Sequence, residues 1–236
     1  MSSSEVANPP ESTLRFELER IYDLRFHESQ HYRNAVWKIL TQNFFQPRIP
    51  SAAHILDVGC GWGEFINHIT AEVKYGMDLN PRTRERLAPD VQFIEQDCSL
   101  PWPIAEQSLD VVFSSNFFEH LPTKIALLQT LQQARRCLRP GGRLVCLGPN
   151  ISHLRGHYWD FWDHHLPLTH QSMREVLELV GFEVERCSSK FLPYQMVRRR
   201  PVPLPLVRLY LKCPWVWPFF GKQFLVIASA PAASVA

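Results

Sequence analysis

The sequence predicts a doubly wound α/β domain, and two observations carry that expectation. From Pro50 onward, short and almost wholly apolar runs recur, and between them lie stretches whose apolar residues return at helical spacing. Runs with so few polar residues suit strands covered on both faces, and regular alternation with helices calls for a parallel sheet with right-handed crossovers. The composition allows such a fold: 236 residues, 45% hydrophobic and 20% charged, are enough for one sizeable core and are not those of a disordered chain.

Taken in order, residues 1–10 read as a disordered leader, and two N-terminal helices follow, marked by Leu14, Leu18, Ile21 and Tyr22 and then by Ala35, Val36, Ile39 and Leu40. Strands are expected at HILDV (54–58), VKYGM (73–77), VQFIE (91–95), LDVVFSS (109–115) and RLVCLG (143–148). Amphipathic helices are expected between them at 62–71, 81–88 and 123–137, the last stopped by a turn at Pro140-Gly141-Gly142. Another helix, Thr169 to Val180, ends at Gly181 and precedes strands at 182–187 and 223–229. No repeat and no second domain is visible, so one domain is expected over 11–230, with a helical cap at 11–49, a core at 50–150 and a tail at 231–236.

Charge and cysteine usage narrow the classes. With 25 basic against 23 acidic side chains the formal net charge is only +2, which lacks the phosphate-neutralising excess of a nucleic-acid binder, so no nucleic-acid partner is expected. The six cysteines contain no CxxC pair, the start carries no basic-then-apolar leader, and no apolar run approaches the roughly 20 residues of a spanning helix. A reduced, cytoplasmic protein is expected.

The first strand runs into Asp57-Val58-Gly59-Cys60-Gly61-Trp62-Gly63-Glu64, where glycines allow a sharp turn and a close approach to a ligand. A dinucleotide fingerprint wants a third glycine where this chain has the anion Glu64, which disfavours a pyrophosphate at that helix start. Asp78 ends the second strand 19 residues beyond Gly59, where a carboxylate can accept both hydroxyls of a ribose. Asp97 follows the third strand, where it can accept from an adenine amino group. Each residue also has a plainer reading: the glycines as a tight strand-to-helix turn, Asp57 and Asp97 as caps of local amides, Phe117 as core.

With these residues in view the chain resembles the class I methyltransferases, specifically the small-molecule branch called methyltransferase type 11. The matching segments are ILDVGCGWGEF, YGMDLNP, FIEQDCSLPWP, LDVVFSSNFFEHLP and LRPGGRLVCLGPN, in family order over about residues 50–150. The resemblance implies a Rossmann-like seven-stranded sheet of order 3-2-1-4-5-7-6 with the last strand antiparallel, and S-adenosyl-L-methionine as cofactor. It implies that Gly59 and Gly61 line the methionine portion, that Asp78 holds the ribose, that Asp97 and Cys98 frame the adenine, that Asn116 and Phe117 contact the cofactor on its other side, and that Asp57, Cys60 and Leu79 also belong to the cofactor site. The stretch IYDLRFHESQHYRNAVW is similar to a cap found in a subset of these enzymes, and it puts Tyr22 and Arg25 at the pocket edge, Arg25 toward the methionine carboxylate or in a surface ion pair.

A sulfonium methyl is already electrophilic, so positioning should outweigh basicity; a base matters for an acceptor that must lose a proton. The candidates are His120, His164 and His165, whose residue type titrates near neutrality; His120 also has a structural reading. The run from His157 to His165 matches no metal motif, and no metal is expected; its aromatics read as a lid, an acceptor wall or core. Residues 151–230 form the acceptor side. Within them 198–220 interrupts the hairpin of the last two strands with basic residues, aromatics and five prolines. That composition suits a membrane-surface or lipid-linked-acceptor contact, or else a hydrophobic lid or dimer patch, and the prolines weigh against a continuous amphipathic helix. The expected reaction is O- or N-methylation, ahead of C-methylation, of a small-molecule, saccharide or lipid-linked acceptor. A non-catalytic binding protein on the same fold and a nucleotide-linked oxidoreductase are the alternatives.

Overall fold

The computed structural model describes residue 20 and residues 30–194 and 201–231. Among these, seven strands form one sheet: β1 (His54–Val58), β2 (Val73–Asp78), β3 (Val91–Glu95), β4 (Leu109–Ser115), β5 (Leu138–Pro149), β6 (Glu183–Ser188) and β7 (Gln223–Ser229). Their order is β3-β2-β1-β4-β5-β7-β6, with β1 to β5 parallel and β7 antiparallel to both neighbours. This is the Rossmann-like arrangement that the resemblance implies. The apolar runs earn their place through burial on both faces, with Ile55, Leu56 and Val58 of β1 and Leu144 and Cys146 of β5 at 0% exposure.

Two cores flank the sheet. On one side Leu127, Leu131, Ala134 and Cys137 of α2 (Lys124–Cys137) and Met173 and Leu177 of α4 (His170–Leu179) pack with Leu56, Leu144 and Val226. Helix α2 starts at Thr123, whose hydroxyl accepts from the Ala126 amide, and α4 starts in a capping box between Thr169 and Ser172. On the other side α1 (Gln30–Leu40), continued by a π-helical turn at Thr41–Phe45, packs its apolar residues against Ile55, Phe113 and Val145.

Three expectations change. Residues 62–71 form no helix: isolated turn bonds join Asn67 to Gly63 and Ile69 to Phe65, and the Asn67 side chain is drawn off to the Arg86 carbonyl and the Ala88 amide. The apolar spacing still buries Phe65, Ile66 and Ile69. Residues 81–88 shorten to a 3-10 turn at Pro81–Arg86, capped by Asn80. The Pro140-Gly141-Gly142 turn lies inside β5, which begins at Leu138, because the ladder to the end of β7 captures it: Gly141 donates to Ala230 and Ala230 to Gly142, each at 2.8 Å.

The insertion is more helical than its prolines suggested. A short α3 (Ile151–Leu154) follows β5, and beyond β6 come α5 (Leu204–Lys212) and α6 (Trp217–Phe220). Pro203 precedes α5 and Pro205 sits in its first turn, where a missing amide hydrogen leaves no bond unmade. The Tyr32 hydroxyl of α1 donates to the Val202 carbonyl at 2.9 Å and accepts from the Val202 amide at 3.0 Å.

Candidate functional site

The carboxyl ends of β1, β2 and β4 meet at one edge, as expected for a ligand crevice in an open α/β sheet. The amides of Gly59 and Cys60 both donate to the Met77 carbonyl, at 2.9 and 3.0 Å, which folds the glycine loop over the end of β2. There Asp78 Oδ2 accepts from the Gly61 amide at 2.8 Å and Oδ1 from the Asn80 amide at 2.9 Å. Burial raises the Asp78 pKa while the Asn80, Gly61 and Leu79 amides oppose the rise. The carboxylate is thus held by backbone amides at both of its oxygens. Leu79, next to it, exposes its side chain.

Gly59 has φ +69°, and a Cβ added there would lie 2.1 Å from the Phe117 ring. Phe117 is aimed at the loop by Asn116, which takes φ +49° just after β4 and donates its amide to Leu147 at 3.0 Å. Asp57 is buried at the end of β1; burial, Glu64 and Asp78 hold its pKa well above the carboxylate range, with the Ile66 amide pulling the other way. Glu64 in turn meets Arg33 of α1 at 2.7 Å, so an ion pair joins the cap to the glycine loop. Arg33 was missed in the sequence, although it stands in the cap segment that drew attention to Tyr22 and Arg25. Those two residues lie outside the described ones.

On the adenine side, Asp97 Oδ1 accepts from both the amide and the hydroxyl of Ser99 at 2.8 Å, the turn-capping behaviour its plainer reading supplied. The Cys98 thiol points away from the edge, 3.2 Å from Thr130 Oγ1 in the core, and burial pushes its pKa to about 12. Only the backbone of Cys98 is left to frame a ligand. Cys60 is likewise buried, its thiol pKa pushed up first by burial and then by Asp78 and Asp57.

Beyond β4, His120 closes a 3-10 turn with Phe118 and Glu119. Its Nδ1 lies 3.1 Å from Asp163 Oδ2 and 2.9 Å from the Asp163 carbonyl. Burial acts to lower the His120 pKa, but the Asp163 hydrogen bond and the charges of Glu119 and Asp163 outweigh it and the value is raised. His164 is buried with its ring centroid 4.9 Å from that of His120, stacked on Phe161 at 5.1 Å and beside Tyr158. One potential ligand atom each from Glu119, His120 and His164 lies within 4.8 Å of the others. His165 is exposed and touches the group only through its amide, which donates to the Glu119 carbonyl at 2.8 Å. Of the aromatics in that run, Tyr158 is core, its hydroxyl bonded to the Leu166 carbonyl, whereas Trp162 is open to solvent.

Comparisons with known proteins agree with this fold. A methyltransferase in a complex with the Trm112 methyltransferase activator of Haloferax volcanii superposes with a TM-score of 0.65 over 91% of this chain and 98% of its own, at 18% identity. The mouse tRNA (carboxymethyluridine(34)-5-O)-methyltransferase ALKBH8 is 25% identical over 149 residues, 59% of this chain and 22% of that protein. Demethylmenaquinone methyltransferase of Lactiplantibacillus plantarum is 26% identical over 119 residues, 45% of this chain and 49% of its own. The matched parts thus span from about a fifth to about half of these relatives. Residues 29–186 match the methyltransferase domain family, and the chain belongs to that family of S-adenosyl-L-methionine-dependent enzymes.

Proposed function

We propose that the chain transfers the S-adenosylmethionine methyl group to oxygen or nitrogen of a small-molecule, saccharide or lipid-linked acceptor. The observation that carries the reading is the cradle at Gly59 to Asp78. The loop backbone is free of side chain where Phe117 approaches, and a carboxylate is fixed at both oxygens by backbone amides at the end of β2. Those features fit a nucleoside with a small aliphatic tail. Gly59 and Gly61 would admit the methionine portion, Asp78 would accept from the ribose hydroxyls, and the second oxygen of Asp97 would accept from the adenine amino group. When bound, the cofactor supplies an electrophilic methyl group.

The chain's own work is to exclude water and hold the acceptor in line, which can contribute about 7 to 11 kcal/mol. Phe117 and the aromatic wall around Phe161 would do the first. His120, oriented by Asp163, would take the proton of a hydroxyl acceptor, with His164 packed beside it. A base contributes about 10²- to 10⁴-fold. The small-molecule choice is supported by the menaquinone relative, and the tRNA relative names the rival acceptor to be tested.

A radiolabelled methyl-transfer screen over hydroxylated small molecules, saccharides, lipid-linked sugars and tRNA tests the acceptor class; label in tRNA alone would overturn the reading. Asp78→Ala should weaken cofactor binding by about 1 to 3 kcal/mol in titration calorimetry, the loss of buried hydrogen bonds, and an unchanged affinity would move the ribose elsewhere. Because a base must be neutral and the His120 pKa is raised, the rate with a hydroxyl acceptor should climb with pH through a value above that of an ordinary histidine. His120→Ala should flatten that limb and lower turnover about 10²-fold or more; full turnover in the folded variant would remove His120 as base.

A further inference from the structure

The charge of this chain is distributed unevenly. Beyond Glu185 the sequence holds eight basic residues and no acid, so the near-neutral total conceals a basic carboxyl-terminal part on an otherwise acidic chain. The described portion of that part lies at the carboxyl end of the parallel strands, because Pro149 at the end of β5 pairs with Gln223 at the start of β7. It therefore shares an edge with the candidate crevice.

Its surface is mixed. Inward-facing Val207, Tyr210 and Leu211 seat α5 on the core, whereas Leu206, Arg208, Leu209 and Lys212 face solvent, a strip of leucine and basic side chains of the kind found on helices lying at a lipid interface. At the following bend Trp215, Phe219 and Phe220 are 72%, 78% and 62% exposed, a density of open aromatics that ordinary soluble surfaces avoid. Beneath the bend is a cleft of about 710 Å³ whose lining includes His153, Arg155, Lys190, Phe219 and Lys222. Its one acid, Asp160, is taken up by His157 at 3.0 Å, and neither Arg155, Lys190 nor Lys222 meets a carboxylate among the described residues. Lys190 is held at the bend by donating to the Pro218 carbonyl at 2.7 Å, and the buried His153 Nε2 has no hydrogen-bond partner among the described residues. A cationic cleft lined on one side by the exposed Phe219, with Trp215 and Phe220 open to solvent on the same short bend, has the chemistry of a phospholipid headgroup site.

We infer that residues 204–222 and this cleft form a docking surface for an anionic phospholipid bilayer, with Trp215, Phe219 and Phe220 entering the interface and Arg155, Lys190 and Lys222 meeting headgroup phosphates. No helix among the described residues is long and apolar enough to cross a membrane, so the contact is peripheral. Docking there brings the crevice edge to the bilayer, from which a lipid-anchored acceptor is reached. In that respect it builds on the reading above, yet it needs neither cofactor nor acceptor to be measured.

Flotation of the full chain with vesicles tests it. Binding is expected to vesicles of phosphatidylcholine mixed with phosphatidylglycerol, weak to phosphatidylcholine alone, and reduced by salt. Each basic side chain near the surface should be worth about fivefold in partitioning, so Lys190→Gln with Lys222→Gln should lower it about 25-fold. Trp215→Ser with Phe219→Ser and Phe220→Ser should abolish binding to mixed vesicles. Equal binding to both vesicle types, or binding untouched by either variant, overturns the inference. So does tighter retention on tRNA lost in the same variants, or a dimer that the aromatic variant dissolves. Calorimetry with S-adenosylmethionine on the same samples separates the two readings: vesicle binding without cofactor binding sinks only the function proposed above, and the converse sinks only the docking surface.

Discussion

Gly59→Ala should leave a folded protein that no longer binds S-adenosylmethionine. At φ +69° an added methyl group is strained by about 1 to 2 kcal/mol, and it would also sit 2.1 Å from the Phe117 ring, far inside contact distance. Either the loop rotates out of the left-handed region or the ring swings away. The loop cannot rotate without giving up the amides of Gly59 and Cys60 on Met77 and of Gly61 on Asp78, and a displaced ring opens the crevice to water. Both routes dismantle the cradle, so titration calorimetry should show at least a hundredfold loss, while circular dichroism stays native. Retained affinity would place the cofactor outside this loop.

Phe113→Ala should be strongly destabilising. Phe113 is fully buried in the middle of β4, stacked on Phe65 at 3.6 Å and 14°, and met edge-on by Phe45 at 5.1 Å and Trp37 at 6.2 Å. Removing it empties the place where β4, the π-helical turn and the glycine-loop segment meet, and leaves the Phe65, Phe45 and Trp37 rings facing a gap. The expected cost is about 3 to 5 kcal/mol. A urea melt should show the midpoint falling with the slope unchanged; a loss below about 1 kcal/mol would mean that the surrounding rings collapse into the space.

The strands were legible because burial on both faces writes itself as continuous apolar runs, and the glycine loop because its backbone demands are local. The 62–71 segment misled because a helical period records which residues are buried, not whether the backbone closes its bonds, and here the backbone closes only isolated turns. Asp97 and Cys98 follow β3, which the motif order allowed to be read, but the direction of the Cys98 thiol depends on Thr130, which lies 32 residues away. The His120, Asp163 and His164 group was invisible as a unit. It forms because the Glu119 carbonyl accepts from the His165 and Leu166 amides, a contact across more than 40 residues that no spacing encodes. In α5 the prolines carried opposite meanings by position, which only the location of the first turn decides.

The paired hydrogen bonds between Tyr32 and Val202 span 170 residues of sequence. Closing so long a loop costs little more than closing a shorter one in free energy but is slow, since contacts of that separation are found late in the conformational search. The contacts of α1 with Ile55, Phe113 and Val145 need a shorter stretch of chain than this pair does, so the hold of α1 on α5 depends on the longest of its loop closures.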